Sequence, residues 1–356
     1  MSTRPRVTFN EKGICSACQW AEEKKKINWK EREKKLDKLL SDQKTNPNFQ
    51  CIVPVSGGKD GSYIAYKLKY KKKINPLTVT VRPALEQELG RKNLINFINK
   101  GYNHIHISPD IEVLRKLNKL GFTELGHSYY GWVIALNTAV YRIASNLNIP
   151  LIFYAEDGDV EYGGDSKYKY EGVYDIDYQE TNHIEEKYRK ILKKSKLSDD
   201  QLYWFTYPSK NEVKKKIKLT HWSFYENWNP YRNYEVAKKY CGLEENETLN
   251  DGTYTNFAQL DQKLYLLHCH LMYLKYGFGR TTGDAGIDVR RGAMTREQAV
   301  QLVKMYDNLY PKQYFEAWCK YYNIKLDELL SIFDRWANKS LFEKKDGIWS
   351  SKFTIK

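Results

Sequence analysis

Between residues 51 and 154 short apolar runs alternate with helical stretches, and that rhythm restricts the fold more than any other feature of the chain. Cys51-Ile52-Val53-Pro54-Val55, Leu77-Thr78-Val79-Thr80-Val81, His104-Ile105-His106-Ile107 and Pro150-Leu151-Ile152-Phe153-Tyr154 all have strand length. Helical patterns separate them: one through Tyr63, Ala65 and Leu68, one from Glu86 to Lys100 ended by Gly101, one through Leu114 and Leu120, and one from Trp132 to Leu147. Mostly apolar strands joined by helical crossovers belong in a parallel sheet covered on both faces, a doubly wound α/β fold. Ligands of such folds bind at the carboxyl ends of the strands.

Three regions follow from this pattern. Residues 1–45 hold a knuckle, Gly13-Ile14-Cys15-Ser16-Ala17-Cys18, and a charged helix from Trp29 to Leu40. Asn46-Pro47-Asn48 marks a turn and the start of the sheet region, 46–180. Residues 181–356 are expected to be mainly helical, with a long helix from Phe257 to Tyr276 and a capping box at Thr295 opening another.

Composition narrows the class. Apolar residues make up 41% and aromatics 14%, too many for a disordered chain. No apolar run reaches the ~18 residues of a membrane span, and Met1-Ser2-Thr3-Arg4-Pro5 lacks the apolar core of a secretory signal. A cytoplasmic protein without a membrane partner is expected. The 58 Lys+Arg against 44 Asp+Glu leave a net charge of +14, which suits either nucleic acid or phosphorylated small molecules. The excess is scattered over Lys24–Lys26, Lys71–Lys73, Lys193–Lys194 and Lys214–Lys216, so solvated faces account for it and nucleic acid is not the expected partner.

Of the six cysteines only Cys15 and Cys18 are closely spaced. Their C-x-x-C spacing is half of a zinc site, which normally takes four ligands. His268 and His270 flank Cys269, but positions i and i+2 of a helix face apart, so packing is the expectation. His104 and His106 share a strand face and are expected to be structural.

The segment Ser56-Gly57-Gly58-Lys59-Asp60-Gly61-Ser62 lies between the first strand and the first helix of the sheet region. Glycines let backbone N–H groups converge on an anion, and a helix opening near Ser62 adds its unpaired amides and positive dipole end. The hydroxyls of Ser56 and Ser62 can donate to phosphate oxygens, Lys59 adds charge, and Asp60 suits the Mg²⁺ that accompanies a triphosphate. A Walker A loop would need glycine at position 53, which is Val53, and G-x-G-x-x-G is absent from the segment. Glu156 and Asp157, just past the strand ending at Tyr154, suit metal binding or orientation of a nucleophile, with helix capping or a solvated loop as the plain alternative. Glu161 is the weaker member of that stretch.

The loop resembles the PP-loop, usually SGGxDS, of the N-type ATP pyrophosphatases, with Gly61 standing before the serine. The resemblance implies an adenine nucleotide alpha hydrolase-like sheet and cleavage of ATP to AMP and pyrophosphate with adenylation of a carbonyl oxygen. Further stretches resemble one branch, the N-acetyl sugar amidotransferases of bacterial surface-glycan pathways: Thr3-Arg4-Pro5 to Cys18, Tyr154–Asp157 with Glu161–Gly164, and Gly252–Gln259 followed by Tyr276–Arg280, Asp284, Asp288, Arg290-Arg291-Gly292 and Met294–Glu297. That branch implies conversion of a sugar acetamido group to an acetamidino group in lipopolysaccharide, capsule or flagellin-glycan biosynthesis. Asp284, Asp288, Arg290 and Arg291 are then candidate substrate residues, since arginine pairs suit a diphosphate or carboxylate. A salt-bridge cluster is the structural alternative. The branch usually carries a C-x-x-C pair just upstream of Thr-Arg-Pro, which this sequence from Met1 does not include, so three readings stay open: a natural chain that extends upstream, another Cys or His completing the zinc site, or no metal at all.

Oxide is a hopeless leaving group, whereas AMP on the same oxygen departs readily, so the implied chemistry is coherent. No cysteine sits in a G-x-C-x-G elbow and position 2 is Ser2, so a glutaminase nucleophile is missing. The resemblance implies separate glutaminase and cyclase-like partners that deliver ammonia. Two rivals remain at this stage: a tRNA-modifying PP-loop enzyme (a thiolase or a lysidine-type ligase) and a nucleotide-binding regulator without catalysis.

Overall fold

The structure, a computed structural model, describes residues 3–42, 46–155, 159–164, 169–184, 187–209, 211–213 and 216–356. Five strands, β1 (Cys51–Pro54), β2 (Pro76–Val81), β3 (Asn103–Ile107), β4 (Leu151–Tyr154) and β5 (Lys218–His221), form one sheet in the order β3-β2-β1-β4-β5. All its pairings are parallel, as the apolar strands and helical crossovers require. Helices α1 (Ser16–Lys24), α2 (Trp29–Asp42), α3 (Lys59–Tyr66), α4 (Glu88–Asn99), α5 (Ile111–Leu125) and α6 (Tyr130–Asn146) account for the first half of the chain. Then come α7 (Ile176–Gln179), α8 (Tyr188–Ser195), α9 (Pro230–Val236), α10 (Leu264–Tyr276), α11 (Arg280–Arg290), α12 (Arg296–Tyr306), α13 (Phe315–Tyr322) and α14 (Leu326–Trp336). A hairpin of β6 (Phe342–Lys345) and β7 (Ile348–Ser351) follows.

Side chains alternate across the sheet and divide the core in two. Ile52, Leu77, Val79, Val81, Ile152 and Leu219 face α5, α6 and the C-terminal helices. Cys51, Val53, Leu151 and Phe153 face α2, α3, α4 and Trp222. A sheet buried on both faces is the three-layer arrangement expected of a doubly wound fold.

Several elements differ from the pattern-based expectation. The chain after residue 184 returns to the sheet as β5, whose Lys-Leu-Thr-His sequence carries a single aliphatic residue and no readable alternation. The long helix starts at Leu264, not Phe257, because the preceding backbone is committed elsewhere: Lys263 N–H donates to Leu85 O (3.0 Å) and Gln87 N–H to Asp261 O (2.9 Å). The helix after the Gly-rich loop opens at Lys59, so Lys59 and Asp60 sit in its first turn.

Candidate active site

The loop lies where the sheet order reverses. β1 has β2 on one side and β4 on the other, so its carboxyl end opens a crevice between diverging connections. Val55 N–H still bonds to Val79 O (2.9 Å), and the Thr80 hydroxyl bonds to Val55 O, fixing the end of the strand. Gly57 then turns with φ +80°, and a Cβ there would lie 2.4 Å from Leu94 N on α4. Only glycine fits both the conformation and the contact. Gly58 is extended and caps α3, whose first amides have no acceptor within the helix. Backbone donors at the positive end of a helix suit phosphate oxygens.

Gly61 has a separate explanation. It lies on the face of α3 that packs against β1, where a Cβ would meet Pro54 O at 2.9 Å and Val55 Cα at 3.2 Å. The departure from SGGxDS therefore lets the helix approach the strand closely. Ser62 is fully buried, and its hydroxyl is enclosed without a hydrogen-bond partner. Ser56 stays half-buried beside Gly58.

Asp60 is held from two sides. Lys59 Nζ pairs with Oδ2, and Asn233 Nδ2 donates to Oδ1 at 2.9 Å. Asn233 is fully buried on α9, a helix opened by the Asn229 side chain accepting from the Tyr231 and Arg232 amides. Next to it, Arg232 Nη1 stands 3.3 Å from Glu226 Oε1, and Glu226 Oε2 accepts from Tyr63 Oη and Trp222 Nε1 (both 2.8 Å). Burial alone would raise the Glu226 carboxyl, but Trp222, Arg232, Tyr63 and Lys67 outweigh it and hold it below the usual carboxylate range. Burial and Glu226 push the Tyr63 phenol well up.

The same short helix reaches the C-terminal candidates. Tyr231 Oη and Tyr254 Oη donate to Asp288 Oδ2 (3.1 and 2.7 Å), while Arg291 Nε donates to Oδ1 at 2.7 Å. Burial and Asp288 push Tyr231 up to about 12, so it stays a donor. Asp284 accepts from Thr253 Oγ1 (2.7 Å) and buried Arg280 Nε (3.2 Å). Arg280, Asp284 and Asp288 stand on α11, with Arg291 at its C-cap. Thus α9 joins the loop, through Asp60, to Asp288 and Arg291. Arg290 points elsewhere, donating to Glu161 O at 3.1 Å.

Glu161 is nearly buried and receives Trp20 Nε1 (2.7 Å) and Lys24 Nζ (2.6 Å), and Ser16 Oγ donates to Gly163 O at 2.8 Å. Helix α1 therefore packs on residues 161–163, where Arg290 also bonds. Cys15, at the N-cap of α1, is raised by burial but brought below its ordinary value by the Cys18 N–H, the Cys18 thiol, Arg290 and the Ala17 N–H. Cys18 is raised by burial and by Cys15. Among the described residues no group of three or more His, Cys, Asp or Glu converges in a way that would hold a metal. The two thiols supply half of a tetrahedral zinc shell, so a closed structural zinc site does not fit the described residues. Glu156 and Asp157 lie outside the described residues.

The four other cysteines are partly or wholly buried: burial raises Cys51 and Cys319, and carries Cys241 to about 11 and Cys269 to about 12. His268 and His270 diverge as their spacing requires, His268 packing on His127 (4.4 Å between centroids) and His270 on Phe333 (5.0 Å).

Sequence reasoning missed Asn233, Tyr231, Arg232 and Glu226. The Asn229-Pro230 pair signals a helix start, but nothing in it says that the helix lies against the loop.

Residues 251–355 match the family described as LPS biosynthesis protein WbpG-like, C-terminal domain. The matched segment contains Thr253, Tyr254, Asp284, Asp288, Arg290 and Arg291. The match supports a part in surface-polysaccharide biosynthesis. A comparison with curated proteins finds no match. No helix among the described residues is long and apolar enough to cross a membrane.

Proposed function

We propose that this chain is an ATP-dependent, AMP-forming carbon–nitrogen ligase that converts the acetamido group of a sugar into an acetamidino group during surface-glycan biosynthesis. The observation that carries the reading is the Gly57–Asp60 turn, which sets the free amides at the N-terminus of α3 beside the sheet's switch point and is tied through α9 to a segment of WbpG-like sequence. Each chemical role then has a residue. The amides of Gly57, Gly58 and the first turn of α3 hold phosphate oxygens, and Lys59 neutralises their charge. Asp60 fits a Mg²⁺ ligand once Lys59 turns to the phosphates, and the ion would supply charge neutralisation at the triphosphate. The acetamido oxygen attacks the α-phosphorus, pyrophosphate leaves, and the adenylated carbon accepts ammonia; AMP departs with that oxygen. Glu156 and Asp157 are proposed to orient ammonia, and Arg291 to face the acceptor. Ammonia comes from a separate glutaminase acting with a cyclase-like subunit.

The tRNA-thiolase alternative needs a reactive thiol beside the loop. Cys241 is there, its Sγ 3.6 Å from Ser62 O, but it is fully buried and its thiol is raised to about 11, so it is no thiolate nucleophile.

The test is pyrophosphate release by the purified chain given ATP and a panel of acetamido sugars. Release with ammonium salts and none with glutamine alone is expected. Release driven by glutamine alone would refute the partner requirement, and release dependent on tRNA would refute the substrate class.

A further inference from the structure

A cavity of about 580 Å³ opens at the carboxyl ends of β2 and β3, on the same sheet edge as the loop. Its floor is apolar, including Ala84, Pro109 and Leu114. Its charged lining is Arg82, Arg91, Glu86 and Glu88. Arg82, Glu88 and Arg91 are exposed and Glu86 is half-buried, and none of the four side chains makes an ion pair or a hydrogen bond with a described residue. By contrast, Asp284 has closed on Arg280 and Asp288 on Arg291.

Position links the cavity to the loop. Arg91 lies on α4 three residues before Leu94, the residue against which Gly57 is wedged, a rise of roughly 5 Å along the helix. Arg82 directly follows β2, the strand whose Val79 and Thr80 bind Val55.

Unpaired guanidinium groups bind oxyanions bidentately, and unpaired carboxylates accept from hydroxyl and amide N–H groups. An apolar floor with a few convergent polar groups is the usual make-up of a small-molecule site. A neutral nucleobase would give the two arginines no anionic acceptor. We propose that this cavity holds the charged end of the acceptor, an acetamido sugar bearing a carboxylate or a phosphate, with Arg82 and Arg91 on the oxyanion and Glu86 and Glu88 on hydroxyl and amide donors, Arg291 facing the part of the acceptor outside the cavity. The proposal rests on the sugar-amidotransferase reading and names its substrate class.

The experiment is calorimetric titration of the full chain with N-acetylneuraminic acid, UDP-N-acetylglucosamine and neutral N-acetylglucosamine, beside a non-hydrolysable ATP analogue. The two anionic probes distinguish a carboxylate from a diphosphate source. At least one should bind more tightly than the neutral sugar. Arg82→Gln and Arg91→Gln should each weaken it roughly 10-fold or more, with thermal midpoint and ATP-analogue affinity unchanged. Equal binding of neutral and anionic sugars, binding of neither anionic probe, or anionic binding that both variants leave intact overturns the proposal. Loss of ATP-analogue affinity in the variants also overturns it, since the cavity would then hold the nucleoside. None of these readouts requires turnover, so they stand apart from the pyrophosphate test of the wider reading.

Discussion

At Gly57 two demands meet: a left-handed backbone and a gap of 2.4 Å between a would-be Cβ and Leu94 N. Gly57→Ala should therefore cost about 2 kcal/mol or more of stability and displace the amides proposed to hold phosphate, lowering ATP affinity at least 10-fold. Thermal melting and titration with the ATP analogue check both. Gly61→Ala acts differently. The alanine suits a helix, but Pro54 O at 2.9 Å belongs to a strand backbone that cannot move away. Overpacking then costs about 1–3 kcal/mol, and a raised melting temperature would contradict the close-approach explanation.

Among the elements, α9 is the strut on which the site depends. It carries Asn233 to Asp60 and Tyr231 to Asp288 within one short helix. Asn233→Ala leaves an Asp60 oxygen with one partner fewer, and pyrophosphate release should fall several-fold while the fold persists. Tyr231→Phe should leave the loop untouched and alter the acceptor's apparent affinity instead. If both variants changed the same kinetic parameter to the same extent, α9 would not divide its work in this way. The alternating strands and helices between residues 51 and 154 made the parallel sheet readable, because fully buried strands must be apolar on both faces. β5 was not, since Lys218 and His221 mask an edge strand whose burial comes from packing by distant segments. Similarly, the turn between β1 and α3 could be read from Gly57 and Gly58 because a turn is set by local backbone demands. Asn233 could not, since its role depends on a contact across a sequence separation of 173.

For the whole molecule, buried imidazoles set the acid limit. Burial lowers His268 and His270 to about 4 and takes His127 well below its ordinary value; burial and His106 lower His104 to about 4. These groups bind protons more readily in the unfolded chain. Stability is thus fully present above about pH 6.5 and falls as pH drops from there toward 4, by up to about 1.4 kcal/mol per pH unit for each histidine. Denaturant midpoints measured between pH 7 and 5 should fall with pH, and a flat profile would contradict the burial of these rings. The central claim concerns an oxygen atom: the acetamido oxygen becomes part of AMP. Incubating the chain with ATP, ammonium and an acetamido sugar carrying heavy oxygen in its amide carbonyl, and weighing the nucleotide by mass spectrometry, tests this directly. Heavy oxygen in AMP, in proportion to the acetamidino sugar formed, is the predicted result. Unlabelled AMP, or label in inorganic phosphate with ADP as the nucleotide, would contradict adenylation of the amide.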